Sequence, residues 1–259
     1  SSLNFETMSS FSVSVIVLAF LSLNAYAAKF PSSFQLCRKN DPSVDTCLIG
    51  AIEKALKTMA DGIPSLHVLP IDPQAVTQIL VQDSPGRPVN FNINLTDATL
   101  KGLRNTKVRK VVSNLHKQIV DIDVIVPLIE VTGNYVMNGK FLVLPLKGTG
   151  KGNFKLHNTE IGVQYRGNLA KKNGESYWNT VSFHTDIYKT SRLETQLTGL
   201  FNGDDSLAKP TLDALNTNWE TFWAELRPSI EESFSYIFKN LVSDILKKVP
   251  EKNMFLPDN

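Results

Sequence analysis

The stretch from Pro210 to Val249 constrains this chain most, because it alone has the length and spacing to be the axis of a domain. Apolar residues recur as Leu212, Leu215, Trp219, Phe222/Trp223, Leu226, Ile230, Phe234, Ile237/Phe238, Leu241/Val242, Ile245/Leu246 and Val249, a helical period throughout. The apolar arc covers about 120° before Pro228 and about 180° after it, against about 100° for an ordinary surface helix. More than one side of the element has to be covered. Pro228 removes a backbone hydrogen bond and bends the axis, yet the stripe keeps its phase across it, which predicts a kinked helix or two abutting ones. Pro210 suits a first-turn position, Lys247 and Lys248 suit the negative end of the helix dipole, and Pro250 stops the run. At about 1.5 Å per residue the element is roughly 60 Å long.

The covering surface is legible upstream. From Gln74 to Leu200 the period changes from helical to alternating: Val89, Phe91, Ile93 and Leu95 alternate with Asn90, Asn92, Asn94 and Thr96, one apolar and one wet face. Val120, Ile122, Val124 and Val126 repeat the pattern. Tyr135 to Leu146 reads as two strands joined at Asn138-Gly139, and Asn173-Gly174 is a second turn signal. With Asn153 to Tyr165, Ser176 to Tyr188 and Arg192 to Leu200 this predicts seven or eight antiparallel strands. Before them Asp41-Pro42 opens an amphipathic helix with Val44, Cys47, Leu48, Ala51, Ile52, Ala55, Leu56 and Met59 on one face, ended by Gly62 and Pro64. That helix either packs on the core or serves as a lid over an apolar opening. The fold class expected is α+β, a strongly curved antiparallel sheet wrapped around the long C-terminal helix.

Val13 to Leu23 is an apolar run too short to span a bilayer, followed by the small residues of Ala25-Tyr26-Ala27. This reads as a leader and secretory signal over residues 1–27, leaving 28–259 as a single domain; an N-terminal anchor is the alternative. No later apolar run is long enough to cross a membrane. The two cysteines, Cys37 and Cys47, pair as a disulfide in a secreted chain, the alternative being two free thiols. A net charge of +2 with interleaved signs gives no nucleic-acid footprint.

The sequence carries little sign of catalytic or metal chemistry. Gly148, Gly150 and Gly152 fit no phosphate-binding fingerprint and read as a turn between strands. His67, His116, His157 and His184 lack metal-ligand spacing, and there is no Gly-x-Ser-x-Gly elbow. Asp121 and Asp123 share the polar face of a strand, and Lys107, Arg109 and Lys110 form a small basic cluster; both read as solvated surface. Asn94-Leu95-Thr96 is the one glycosylation sequon. No catalytic residue, metal or cofactor is expected, and the chain reads as a non-enzyme.

A set of segments in a fixed order carries more information. Cys37 and Cys47 precede the amphipathic helix, then come Gly62-Ile63-Pro64, Leu69-Pro70-Ile71-Asp72-Pro73, Leu100-Lys101-Gly102-Leu103 and Gly133-Asn134-Tyr135. Leu144-Pro145-Leu146-Lys147-Gly148-Thr149-Gly150, Leu200-Phe201-Asn202-Gly203, Asn216-Thr217-Asn218-Trp219 and Leu226-Arg227-Pro228 follow. In this order the chain resembles the insect takeout and juvenile-hormone-binding proteins. The resemblance implies an internal apolar tunnel and an insect protein secreted into haemolymph or another extracellular fluid. It also implies a small hydrophobic ligand: a terpenoid, fatty-acid derivative or other lipid, juvenile-hormone-like molecules included. Haemolymph carriers of this family usually have a second disulfide, for which this sequence has no cysteines, placing it nearer the takeout branch. The expected tunnel wall is Trp219, Phe222, Trp223, Leu226, Ile230, Phe234, Ile237, Phe238 and Leu241 from the long helix. Phe91, Ile93, Val124, Tyr135 and Val143 are added from the sheet, and Ile52 and Leu56 from the N-terminal helix. The protein is expected to be a monomer that does not insert into membranes. Two other readings stay open, a membrane-surface lipid-transfer protein and a secreted lipid-active hydrolase.

Overall fold

A computed structural model describes residues 28–82, 90–142 and 144–257; the expected leader and signal, 1–27, together with Val89 and Val143, lie outside the described residues. Helix α1 (Val44–Ala60) is followed by strands β1 (Gln74–Val81), β2 (Asn90–Lys101), β3 (Lys107–Asn114), β4 (Ile119–Phe141), β5 (Leu144–Lys172), β6 (Glu175–Lys189) and β7 (Arg192–Leu197). Helices α2 (Asp205–Thr217) and α3 (Trp219–Leu246) complete the chain.

The spine is the pair β4 and β5, antiparallel neighbours from Ile119↔Arg166 to Phe141↔Leu144. Every other strand except β1 borders one half of it. β3 pairs with the first part of β4 and β2 with the second, β1 lying outside β2. On the far side β7 pairs with the first part of β5 and β6 with its second. Pro127, which cannot donate to a ladder, falls where β4 exchanges β3 for β2 as its neighbour. Strands of 23 and 29 residues accumulate the right-handed twist of a sheet, and the seven-stranded antiparallel sheet curves around the C-terminal helices without closing. Its inner face and the helices share one apolar core that includes Phe91, Ile93, Tyr135, Phe141, Phe222 and Leu226.

Helix side chains hold the free strand edges. Val108 N–H of β3 donates to Glu53 Oε1 of α1 at 2.9 Å. Thr195 of β7 donates its N–H to Asn216 Oδ1 at 2.8 Å and accepts from Asn216 Nδ2 at 2.9 Å, so one α2 side chain takes the place of a paired strand. On β6, Thr185 N–H donates to Ser235 Oγ at 2.9 Å and Ile187 N–H to Glu231 Oε1 at 2.7 Å, both from α3. An open edge is a template for association, and here those edge groups are spent on the helices.

Four local expectations are corrected. The long C-terminal element is two helices, but the break is at Asn218, while α3 runs through Pro228. The Asn218 side chain turns back to donate to Ala214 O at 2.9 Å, the local competition with helix that favours asparagine at helix ends. Pro210 is not in a first turn: α2 starts earlier, where the Asp204 carboxylate caps Ser206 N–H at 3.0 Å. Asn138-Gly139 lies inside β4, paired on both sides; a Cβ on Gly139 would sit 2.3 Å from Asn90 O, so the glycine admits the neighbouring strand and makes no turn. The chain reverses after Phe141 instead, with Leu142 at φ +56°. Asn173-Gly174 does make the turn between β5 and β6, both residues having positive φ. The glycines at 148, 150 and 152 are likewise inside β5, where a Cβ on Gly150 would meet Thr198 O at 2.1 Å.

Candidate ligand cavity

Between α3, α1 and the half of the sheet made by β4, β5 and β6 lies a cavity of about 350 Å³. Helix α3 lines it with a helical stripe, Phe234, Phe238, Leu241, Val242, Ile245 and Leu246. β4 gives Ile122, Val124 and Val126, β5 gives Ile161 and Val163, and β6 gives Phe183 and Thr185, each set at the alternate positions that share a face. α1 closes the side with Ile52, Ala55, Leu56 and Met59, and the stacked rings of Phe30 and Phe34, 5.0 Å apart, complete the wall. Its two wall hydroxyls are engaged: Thr106 Oγ1 donates to Leu103 O at 2.7 Å and Thr185 Oγ1 to Glu231 O at 3.0 Å. A second cavity of about 260 Å³ shares Phe30, Phe34, Ile52, Ile122, Phe183 and Leu246 with the first and reaches toward Cys37, Trp178 and Phe255. A third void, of about 40 Å³, lies farther along α3 among Trp223, Leu226, Ile230, Ile79, Ile93 and Leu193.

The residues expected to form the wall are distributed over these spaces. Phe234, Phe238, Leu241, Val124, Ile52 and Leu56 border the cavity of about 350 Å³, and Trp223, Leu226, Ile230 and Ile93 border the small void. The others are elsewhere. Phe222 is fully buried between Phe91, 5.2 Å away, and Phe141, 5.8 Å away, and Tyr135 is buried with its hydroxyl donating to Thr198 O at 2.8 Å. Desolvation pushes the Tyr135 phenol up to about 12. Trp219 and Ile237 pack half-buried against the core and line none of the three spaces. Sequence reasoning missed Phe30, Phe34, Phe183, Ile122 and Val126. The last two share the alternation of Val124; Phe183 is hidden because its partners on the inner face of β6 include Thr185.

No group of three or more His, Cys, Asp or Glu side chains among the described residues could hold a metal, and no described helix is long and apolar enough to cross a membrane. Asp121 is engaged by both terminal nitrogens of Arg166. In the basic cluster Arg109 pairs with Glu160, and Lys107 lies 3.8 Å from Glu53. Asn94 is half-buried and its side-chain oxygen accepts from Gln78 Nε2 at 2.6 Å.

Residues 15–256 match the sequence profile of the family described as haemolymph juvenile hormone binding protein (JHBP). The chain belongs to that family. Within it, the chain is similar to the circadian clock-controlled protein daywake of Drosophila melanogaster, 26% identical over 255 residues that cover 95% of this chain and 96% of the relative. The Drosophila yakuba protein of the same name is 25% identical over 235 residues, 87% of this chain and 88% of that one. The crystal structure of Epiphyas postvittana Takeout 1 matches with a TM-score of 0.74 and 26% identity, covering 86% of this chain and 100% of that one. The curved sheet and C-terminal helices of this JHBP-family chain are thus the takeout fold.

At one end of the cavity of this JHBP-family chain, both ends of the described chain are tied together. Cys37 and Cys47 are bonded, and Cys37 O accepts from Leu256 N–H at 2.9 Å. Glu251 Oε1 accepts from Lys39 Nζ at 2.7 Å and from Trp178 Nε1 at 3.1 Å. The Phe255 ring lies 5.8 Å from that of Trp178, with Lys39 Nζ 5.9 Å from its centre.

Proposed function

We propose that the chain is a secreted, non-enzymatic carrier that holds a small hydrophobic molecule in the two adjoining cavities beneath α1. The observation that carries this reading is a wall without a free polar group around a space of about 350 Å³, in the range of about 300–1,000 Å³ usual for ligand sites. An apolar wall gives water no hydrogen-bond partners, and moving ligand surface onto it gains about 25 cal/mol per Å². With nothing in the wall to fix an oxygen or a charge, selection is by shape and length, which suits a terpenoid, a fatty-acid derivative or another lipid. The family's name supports both this ligand class and an extracellular location, and the disulfide supports the location.

The test uses protein recovered from the medium of expressing cells, its N-terminus expected at Ala28. Wild type should bind an apolar fluorescent probe such as N-phenyl-1-naphthylamine, and an organic extract should displace it. Leu241→Trp, growing into the cavity, should weaken the probe at least about tenfold, or about 1.4 kcal/mol, with little change in melting temperature. In a solid core the same change would overpack and cost about 1–3 kcal/mol. A wild type that binds no probe, with a variant that melts much earlier, refutes the carrier reading.

A further inference from the structure

The apolar interior along α3 is interrupted at one place. Trp223, Leu226 and Ile230 face the void of about 40 Å³, and Phe238, Leu241 and Ile245 face the cavity of about 350 Å³. Phe234 faces both. Its ring is 2% exposed and meets Phe238 edge-on, 6.0 Å between centres at 78°. Both spaces are bordered by apolar surface, the Thr185 hydroxyl in the wall of the larger one being engaged by Glu231 O. Phe234 is the one residue common to the two linings.

We propose that Phe234 is the length-determining residue of the binding site, a stop against which the end of an extended apolar chain comes to rest. This rests on the carrier reading above and adds to it a molecular ruler. With the ring in place, a chain is confined to the space beneath α1. Each added methylene gains affinity, about fourfold per group, only until the chain reaches Phe234. Beyond that length another methylene has to stay in water or fold back, and the gain stops. Removing the ring joins the larger cavity to the void among Leu226, Ile230 and Ile93, and the stop moves on.

The experiment is a series of straight-chain carboxylic acids of increasing length, competed against N-phenyl-1-naphthylamine on wild type, Phe234→Ala, Phe234→Leu and Ile237→Ala. Ile237 is three residues on along the same helix and lines neither space. In wild type the affinity should rise with length and then level off. In Phe234→Ala the levelling should come several methylenes later, with short chains bound no more tightly than by wild type. Phe234→Leu, which fills more of the site and preserves the fold if the alanine variant is lost, should move the limit by less, and Ile237→Ala should leave it in place. If wild type binds the series but folded Phe234→Ala and Phe234→Leu level off at its length, or if wild type shows no limit, the ruler is wrong and the carrier reading stands. If wild type binds neither the probe nor any acid, the carrier reading falls and the ruler with it.

Discussion

Glu251 concentrates three interactions on one carboxylate, and their balance is readable in its acidity. Burial opposes its ionisation, but the hydrogen bonds from Lys39 and Trp178 and the charges of Lys39 and His116 outweigh it, so its pKa lies below the ordinary value of 4.5. A carboxyl whose folded pKa is depressed stabilises the fold fully above its unfolded value and loses that contribution as pH falls through the folded value. The expected outcome is that the C-terminal segment loosens in acid below about pH 4.5, reported by Trp178 emission, and that Glu251→Gln removes this step while the rest of the acid response remains. Glu231 on α3 runs the other way: burial raises it despite the bond from Ile187 N–H, so its ionisation costs stability as pH rises through its folded value. Reading from sequence meets its limit at the same scale. Phe234 and Ile237 are equally apolar and sit on one helical stripe, yet one borders the cavity and the other packs against core. Periodicity gives the side of a helix that is buried; what faces it, atom or void, depends on side chains that arrive from β4, β5 and β6.

At the scale of elements, the helices matter to the sheet as hydrogen-bonding partners as well as apolar cover. Asn216 is the clearest case, because Thr195 is 2% exposed and both of its main-chain groups rely on that one side chain. Asn216→Ala should cost about 1–3 kcal/mol, the penalty for buried groups left without partners, and Asn216→Asp, which keeps the acceptor and loses the donor, should also be destabilising. Denaturant midpoints measure both, and an alanine variant as stable as wild type would remove the argument. The element types and order were largely legible: α1 runs from Val44 to Ala60, where the Val44 to Met59 periodicity placed it, and the β region begins at Gln74 as expected. Turns were the weaker part. Asn173-Gly174 and Asn138-Gly139 carry the same signal, but the second serves the close approach of β2 to β4, a demand made by a distant strand that no local window contains. The glycines around Gly150 mislead for the same reason, since a Cβ there would meet Leu200 at Gly148, Thr198 at Gly150 and Leu197 at Gly152.

For the whole molecule, the alternating strands and the overlong apolar helical stretch were enough to require a sheet wrapped on helices, and the resemblance to takeout proteins supplied the tunnel. The cavity observed is not a property of any one residue. It is what remains where α1, α3 and the inner face of the spine fail to meet, and its closing rings, Phe30 and Phe34, come from a segment with no regular structure to give it a pattern. The edge bonds described above make that enclosure observable in solution. A main-chain N–H held by a helix side chain trades its proton for deuterium only when the helix lets go, so local openings can be told apart residue by residue. Val108 reports on α1 through Glu53, and Thr185 and Ile187 report on α3. If α1 lifts to admit a ligand, Val108 should exchange faster than the α3-held pair in the empty protein and slow selectively when an apolar ligand is added; equal slowing at all three amides would place the way in somewhere other than α1. Three backbone protons thus serve as separate clocks for the two helices that enclose the cavity.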